Sequence, residues 1–494
     1  MNFGYLYENT KRFMKGIFPV LLSFLLFSMS SFAKGKPLAN LDADTFDISI
    51  KIRGLKNENV LLAYHYGDKK YILDSLHLDA SGATRITGKR DIPKGVYIIA
   101  IPSLSNKYFE ILISEKKFGI ETDTLDFFKF MKISNSQENK LFYEFMHFAS
   151  DKGKDADSLQ KVLVNISDTS SVAYKKAFGL LKNIDESIIN ERKRLIEAYP
   201  NTFYAHILKM MIEVPMPEYS IESNHEDSMR VYNYAIGHYL DNITFSDSGL
   251  VRTPILLNKL TDYIKYLYSP HPDSISKACD VIINKCAVDP EMFKFCTTQL
   301  LSKYANSQIM GQEAIYVHLV ENYYLTGKAY WQDSTTLEKM KQRVIALKPS
   351  LLGKPASNFA VLDTNGKMRI FLEETVKHKY TLLVFWNSDC GHCNEEIPKL
   401  YKFWQDSLKT YDVGVFSVGT DHDKEKISQF VNEHELYEWQ HGYDPNGNNI
   451  FRQQYDVIST PLIVLVDQAK IIRAKRIEYR DLPKFIENLE KYKD

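Results

Sequence analysis

Cysteine is scarce in this chain, with five residues in 494. That excludes a disulfide-built scaffold, which needs a dense paired set in a short chain, so any cysteine pair has to be read locally. Charge of one sign is missing as well. Lysine and arginine number 62, as do aspartate and glutamate. No basic run with interleaved aromatics occurs, which excludes nucleic acid as an expected partner. No repeat of fixed length appears, so a tetratricopeptide-like solenoid is not supported. What is present is a globular composition, 44% hydrophobic and 25% charged, with enough chain for about three domains at roughly 150 residues each.

The one notable apolar run is at the start. Lys11, Arg12 and Lys15 precede IFPVLLSFLLFSM, and Ser31, Phe32 and Ala33 follow it. This is a secretory signal layout, with cleavage expected after Ala33, residues 1–33 as the signal, and Met14 as an alternative start. The run is shorter than the roughly 20 residues a spanning helix wants, so membrane association is expected only if the segment stays uncleaved. No cysteine lies near the cut to carry a lipid. The expected location is the periplasm or cell envelope, where thiols can be oxidised.

Three segments with different periodicities follow. Over 42–123 short runs such as FDISIKI, NVLLAYHY and GVYIIAI alternate between turn signals, which predicts an antiparallel β domain, a small sandwich. Over 129–348 the pattern is that of amphipathic helices, several opening at N-caps or prolines such as Asp289-Pro290 and Thr253-Pro254, which predicts an all-helical domain. Cys279, Cys286 and Cys296 lie here. The first two are two helical turns apart, about 10 Å, beyond disulfide reach. Cys286 and Cys296 flank Pro290 and either meet across a helical hairpin or stay buried thiols. No histidine lies among the three at metal-ligand spacing.

Over 351–494 strands and helices alternate. A hairpin turning at Asn365-Gly366 precedes the apolar strand YTLLVFW, a cysteine pair and a helix; DVGVFSV, further helices, TPLIVLV and IIRAKRI follow. This predicts a small α/β sheet.

The pair stands in FWNSDCGHCNEEIP, Phe385 to Pro398. A buried strand here hands over to a helix, placing Cys390 at the helix N-terminus, where unpaired N–H groups and the positive dipole end favour a thiolate. Cys393, one turn further in, is suited to resolving a mixed disulfide. His392 between them tunes the redox balance towards the thiolate when protonated, and Asp389 opposes it by like-charge repulsion. Glu396 follows Cys393 by three residues, so it either accepts the Cys393 proton, if its carboxylate is buried, or is an exposed helix carboxylate. Structural zinc would need a second ligand pair, and covalent haem a histidine where Asn394 stands; neither metal nor cofactor is expected.

Residues 351–494 resemble the thioredoxin-fold domains of TlpA/ResA-type exported thiol-disulfide oxidoreductases. LLGKPASNFAVLDTNGK is similar to that family's opening hairpin, LLVFWNSDCGHCNEEIP to its active-site strand and helix, and STPLIVLVD to its proline loop. The resemblance implies a thioredoxin fold without a bound cofactor, acting on protein disulfide or dithiol substrates with an electron-transfer partner protein. It implies Cys390 as nucleophile, Cys393 as resolving thiol, Glu396 as proton handler, Pro461 as a cis-proline facing the cysteines, Thr460 as a backbone partner for substrate, and Trp386 as a substrate-binding residue. Two departures stand out: Asp389 occupies a position often held by tryptophan, and Val384 the place of the buried aspartate of ordinary thioredoxins. The upstream segments resemble N-terminal domains of unknown function fused to such redoxins. Two other functions fit less well. A thiol peroxidase would need threonine or serine where Asn387 stands, and a binding or scaffold protein would make the redox domain ancillary.

Overall fold

Residues 33–34, 45–88, 92–215, 225–447 and 450–491 are described by the computed structural model. The expected export segment, but for Ala33, lies outside them. The chain divides into two units, one of Met1–Pro270 with Ala278–Gln299, the other of His271–Lys277 with Leu300–Asp494.

The first unit opens with nine strands: β1 (Ala33–Lys34), β2 (Phe46–Arg53), β3 (Asn59–Tyr66), β4 (Lys69–His77), β5 (Ala83–Gly88), β6 (Gly95–Ile101), β7 (Lys107–Ile113), β8 (Lys117–Asp123) and β9 (Lys132–Ser134). They form two sheets, ordered β1-β4-β3-β6-β7 and β5-β2-β8-β9. Period-two alternation decides which side chains turn inward. Phe46, Ile48, Ile50 and Ile52 of one sheet meet Leu62, Tyr97, Ile99 and Ile111 of the other in a common core. Most neighbours pair antiparallel. The exceptions are β1 with β4 and β2 with β8, which run parallel; the chain between β2 and β8 is long enough to provide the crossover a parallel pair needs. Helices follow. Those at Gln137–Val164, Val172–Ala198 and Phe203–Met210 start where the side chains of Ser136, Ser171 and Thr202 accept a backbone N–H of the first turn, the arrangement that satisfies otherwise orphaned donors.

The second unit contains a seven-stranded sheet ordered β11-β10-β14-β13-β12-β15-β16. Its strands are β10 (Ala360–Leu362), β11 (Met368–Ile370), β12 (Tyr380–Trp386), β13 (Val413–Gly419), β14 (Gln440–Tyr443), β15 (Leu462–Asp467) and β16 (Ile472–Lys475). β12 is central, parallel to β13 and antiparallel to β15. All seven of its residues are buried, because cores cover both faces: Leu382, Val384 and Trp386 enter one, Leu383 and Phe385 the other. That is why this strand reads as a near-continuous apolar run, with Thr381 its one polar residue besides the Tyr380 hydroxyl, rather than an alternating one. The β10–β11 hairpin turns at Asn365-Gly366, with Gly366 at φ 79° and the Asp363 carboxylate accepting the N–H groups of Asn365 and Lys367.

Candidate active site

From the end of β12 the chain turns through Asn387, Ser388 and Asp389 and enters the helix Gly391–Asp406, with Cys390 as its N-cap at φ −88° and ψ 112°. The Cys390 carbonyl accepts the first helical bonds, from the N–H groups of Cys393 at 3.0 Å and Asn394 at 3.1 Å. Its Sγ lies 3.4 Å from the carbonyl oxygen of Thr460, and the Thr460–Pro461 peptide is cis. The structure thus brings Cys390, Cys393, Thr460 and Pro461 together at one helix tip.

The two sulfurs, both thiols here, have opposite electrostatics. Burial works against a Cys390 thiolate, but hydrogen bonds from the Cys393 N–H and thiol, from the Thr460 side chain and from the His392 N–H outweigh it, and the Cys390 thiol is held below its ordinary value. Cys393 is wholly buried; burial dominates there and pushes its thiol up to about 11. At neutral pH the thiolate is therefore favoured at Cys390 and disfavoured at Cys393.

The turn carrying Cys390 is held by Asp421, a residue that sequence reasoning did not single out. Its carboxylate accepts the Asn387 side-chain amide and the Ser388 N–H, each at 2.9 Å. Its position just past the end of the parallel strand β13 was the available signal, since ligand-facing loops follow strand C-termini in such sheets. Asp389 is engaged too: Lys426 Nζ lies 2.6 Å from its carboxylate. The repulsion expected between Asp389 and the Cys390 thiolate is thereby countered by a neighbouring cation.

Among the remaining expected residues, His392 is exposed beside the pair, and its backbone N–H is what reaches Cys390. Glu396 is not buried. Its carboxylate, 34% exposed, is 2.8 Å from Lys399 Nζ, and that bond holds it below the usual carboxylate range. The structure does not bring it to Cys393, because Lys399, one turn further along the helix, captures it. Trp386 requires a correction. Its side chain is 0% exposed, stacks on Phe430 with ring centroids 4.1 Å apart, and donates its indole N–H to Ser417 Oγ at 2.6 Å. It supports the site from beneath and has no surface to offer a substrate, since β12 is covered on both faces. Val384 is likewise fully buried. No cluster of metal-ligating side chains occurs among the described residues.

Family models match three stretches of the chain: a domain of unknown function (DUF4369) over residues 46–142, another (DUF5106) over 185–350, and redoxin over 351–492. No curated protein matches. Among solved structures, a domain of a possible thiol-disulfide isomerase from Cytophaga hutchinsonii is 35% identical, covering 28% of this chain and 94% of its own, with a TM-score of 0.27. The thioredoxin domain of a thiol-disulfide oxidoreductase from Bacteroides vulgatus is 25% identical over 27% of this chain and 97% of its own, at a TM-score of 0.25. A thioredoxin-like protein from Bacteroides caccae is 21% identical over 56% and 98%, at 0.44. Through residues 351–492, built as a helix-borne cysteine pair on a central buried strand, the chain belongs to the thioredoxin-like redoxins of the TlpA type.

Proposed function

We propose that this protein is an exported dithiol-disulfide oxidoreductase that exchanges disulfides with protein or small-molecule substrates through Cys390 and Cys393. The observation that carries this reading is the opposite bias of the two thiols, Cys390 down and Cys393 up to about 11. In the reductive direction the Cys390 thiolate attacks a substrate disulfide, forming a mixed disulfide and expelling one thiolate. Cys393 then attacks Cys390 Sγ, its proton passes to the leaving thiolate, and the second substrate thiol departs as the Cys390–Cys393 disulfide closes. An electron-transfer partner protein returns two electrons to reset the pair. Thr460 and Pro461 face the sulfurs and shape the substrate groove, and His392 tunes the couple from its exposed position. Glu396 would take part in proton transfer only after releasing Lys399.

Export rests on the segment 1–33, which directs the chain to the periplasm or cell envelope; no helix among the described residues is long and apolar enough to cross a membrane. The test is reduction of insulin or glutathione disulfide by the reduced full-length protein. Cys390→Ser should abolish turnover, and Cys393→Ser should accumulate a mixed disulfide through Cys390. A folded protein whose sulfurs resist both disulfides and alkylating agents would falsify the reading.

A further inference from the structure

Two cysteines outside the redoxin segment lie against each other. The Sγ atoms of Cys286 and Cys296 are 2.8 Å apart, and the residues are 0% and 1% exposed. Cys286 ends the helix Pro272–Cys286, and Cys296 stands within the helix Pro290–Ala305. The turn between them is fixed by its own chemistry. The Asp289 N–H donates to the Cys286 carbonyl at 3.2 Å and the Asp289 carbonyl accepts from Phe293 at 2.9 Å, while the Asp289 carboxylate accepts the Met292 N–H at 2.8 Å. Pro290 opens the second helix with its φ already set. Non-bonded heavy atoms settle about 3.5–4.0 Å apart, and bonded sulfurs at about 2.05 Å. The pair sits between the two, so bonding needs roughly 0.8 Å of closure.

We propose that Cys286 and Cys296 are a second functional cysteine pair, which oxidises to a structural disulfide when the chain meets a disulfide oxidant of the glutathione or protein class. One thiolate of the pair attacks the oxidant, breaking its S–S bond and expelling one thiolate. The other thiolate then attacks the mixed disulfide at the pair's own sulfur, forming the internal bond and expelling the second. Two electrons pass to the oxidant, and both protons end on its thiols. Burial raises the Cys286 thiol well above its ordinary value, so the folded dithiol is a poor nucleophile and oxidation belongs to folding, before the helices close on each other. The same burial then shields the bond from reductant, whereas Cys390 of the catalytic pair remains partly exposed. The crosslink spans ten positions and removes open conformations of that segment from the unfolded chain.

The test uses the full chain carrying Cys390→Ser and Cys393→Ser, refolded from denaturant in a mixed glutathione buffer and, separately, in dithiothreitol. Each product is denatured with iodoacetamide and cut with trypsin. Cleavage after Lys285, Lys294 and Lys303 places the two cysteines on separate peptides, 286–294 and 295–303, which only a disulfide joins. The glutathione product should yield the joined pair, lighter by two hydrogens than the separate peptides and abolished by reductant, and should melt several degrees above the dithiothreitol product. In its native form the bond should survive glutathione conditions that reduce the Cys390–Cys393 disulfide of the parent chain. Alkyl label on both peptides after glutathione refolding overturns the proposal, as does a bond that is reduced together with the catalytic pair.

Discussion

Arg343, on the helix Ser334–Leu347, bonds to the carboxylate of Asp456 across 113 positions of sequence, and Arg476 holds the other oxygen of that carboxylate at 3.1 Å. The Asp456 side chain is 2% exposed, and its backbone is left-handed at φ 54°. Asp456 begins the loop that leads to Thr460 and Pro461, so a residue of the helical segment anchors the loop facing the cysteines. Removing one partner of a buried pair strands the other. Arg343→Ala should destabilise the redoxin unit by about 1–3 kcal/mol because Arg476 remains, lowering its urea midpoint, and should also slow Cys390 alkylation as Thr460 loses its placement. Arg343→Lys should restore part of the stability. An unchanged midpoint in urea, followed by tryptophan fluorescence, would refute the anchoring role.

The opposite bias of the Cys390 and Cys393 thiols gives a specific pH profile. Alkylation of the reduced protein should rise with pH through a single step whose midpoint lies below that of an ordinary thiol, with Cys393 contributing nothing until pH approaches about 11. The linkage to stability has two signs. The lowered Cys390 contributes stability above its unfolded value, and that contribution is lost as pH falls through the folded one. The raised Cys393 contributes stability that is full below its unfolded value and is lost as pH rises through about 11. Iodoacetamide rates on the parent chain and Cys393→Ser measure the step; a midpoint at or above that of a free thiol refutes it.

Lys426 faces Asp389 at the mouth of the site, both side chains substantially exposed at 45% and 68%. Lys426→Ala removes the cation that offsets a carboxylate adjacent to the Cys390 sulfur. The Cys390 thiol should shift upward and alkylation at neutral pH should slow, by about twofold or less, since exposed pairs are weak and screened. The difference should vanish at high salt. Glu396→Gln, which leaves both sulfurs and their hydrogen bonds intact, should change disulfide turnover less than Lys426→Ala does.

Much of this architecture is legible in the sequence. YTLLVFW is apolar almost throughout because β12 is covered on both faces, and its handover to a helix places Cys390 at the N-cap by local geometry alone. Asn365-Gly366 and Asp289-Pro290 act where their backbone chemistry directs. The unread parts depend on distance. Trp386 ends a strand whose two faces are both buried, so period-two reasoning could not send it outward, and its partner Ser417 is 31 positions away. Glu396 has two partners at helical spacing, Cys393 behind and Lys399 ahead, and spacing does not choose between them. Asp421 and Arg343 reach the site only through the tertiary fold.

Lys475 is almost wholly buried, 1% exposed, with its Nζ 2.6 Å from Ser350 Oγ. Burial drives its ammonium down to about 8, against the pull of Glu313 and Asp456. Between that value and the ~10.4 of a free lysine, the unfolded chain binds the extra proton, so stability should climb as pH rises across this window and stay flat below it. The charge costs roughly 3 kcal/mol at neutral pH on this basis. Lys475→Met keeps the stem and removes the charge, and Ser350 retains its bond to the Leu347 carbonyl. The variant should gain about 1–3 kcal/mol at pH 7 and lose the rise between pH 8 and 10. Equal urea midpoints for parent and variant at pH 7 would rule out this cost.

His441 shows the same logic with a different proton. Its Nδ1 lies 3.0 Å from Ser417 Oγ, its Nε2 2.7 Å from the Leu436 carbonyl, and Ser417 also accepts the Trp386 indole. With Nε2–H donating to Leu436, Nδ1 accepts the Ser417 hydroxyl, so the chain of bonds closes with a neutral ring. Burial pushes the imidazole down to about 4. The unfolded chain takes up its proton near 6.5, so the neutral ring's contribution, roughly 3 kcal/mol, is full above that pH and is lost as pH falls towards 4. Ser417→Ala deprives both the indole and the ring of their partner, and should cost about 2 kcal/mol at neutral pH. His441→Phe should flatten the acid limb between pH 6.5 and 4, because no proton is then taken up on unfolding. Urea midpoints across that range distinguish the outcomes: if the acid limb of His441→Phe parallels that of the parent, this histidine is not the group that titrates.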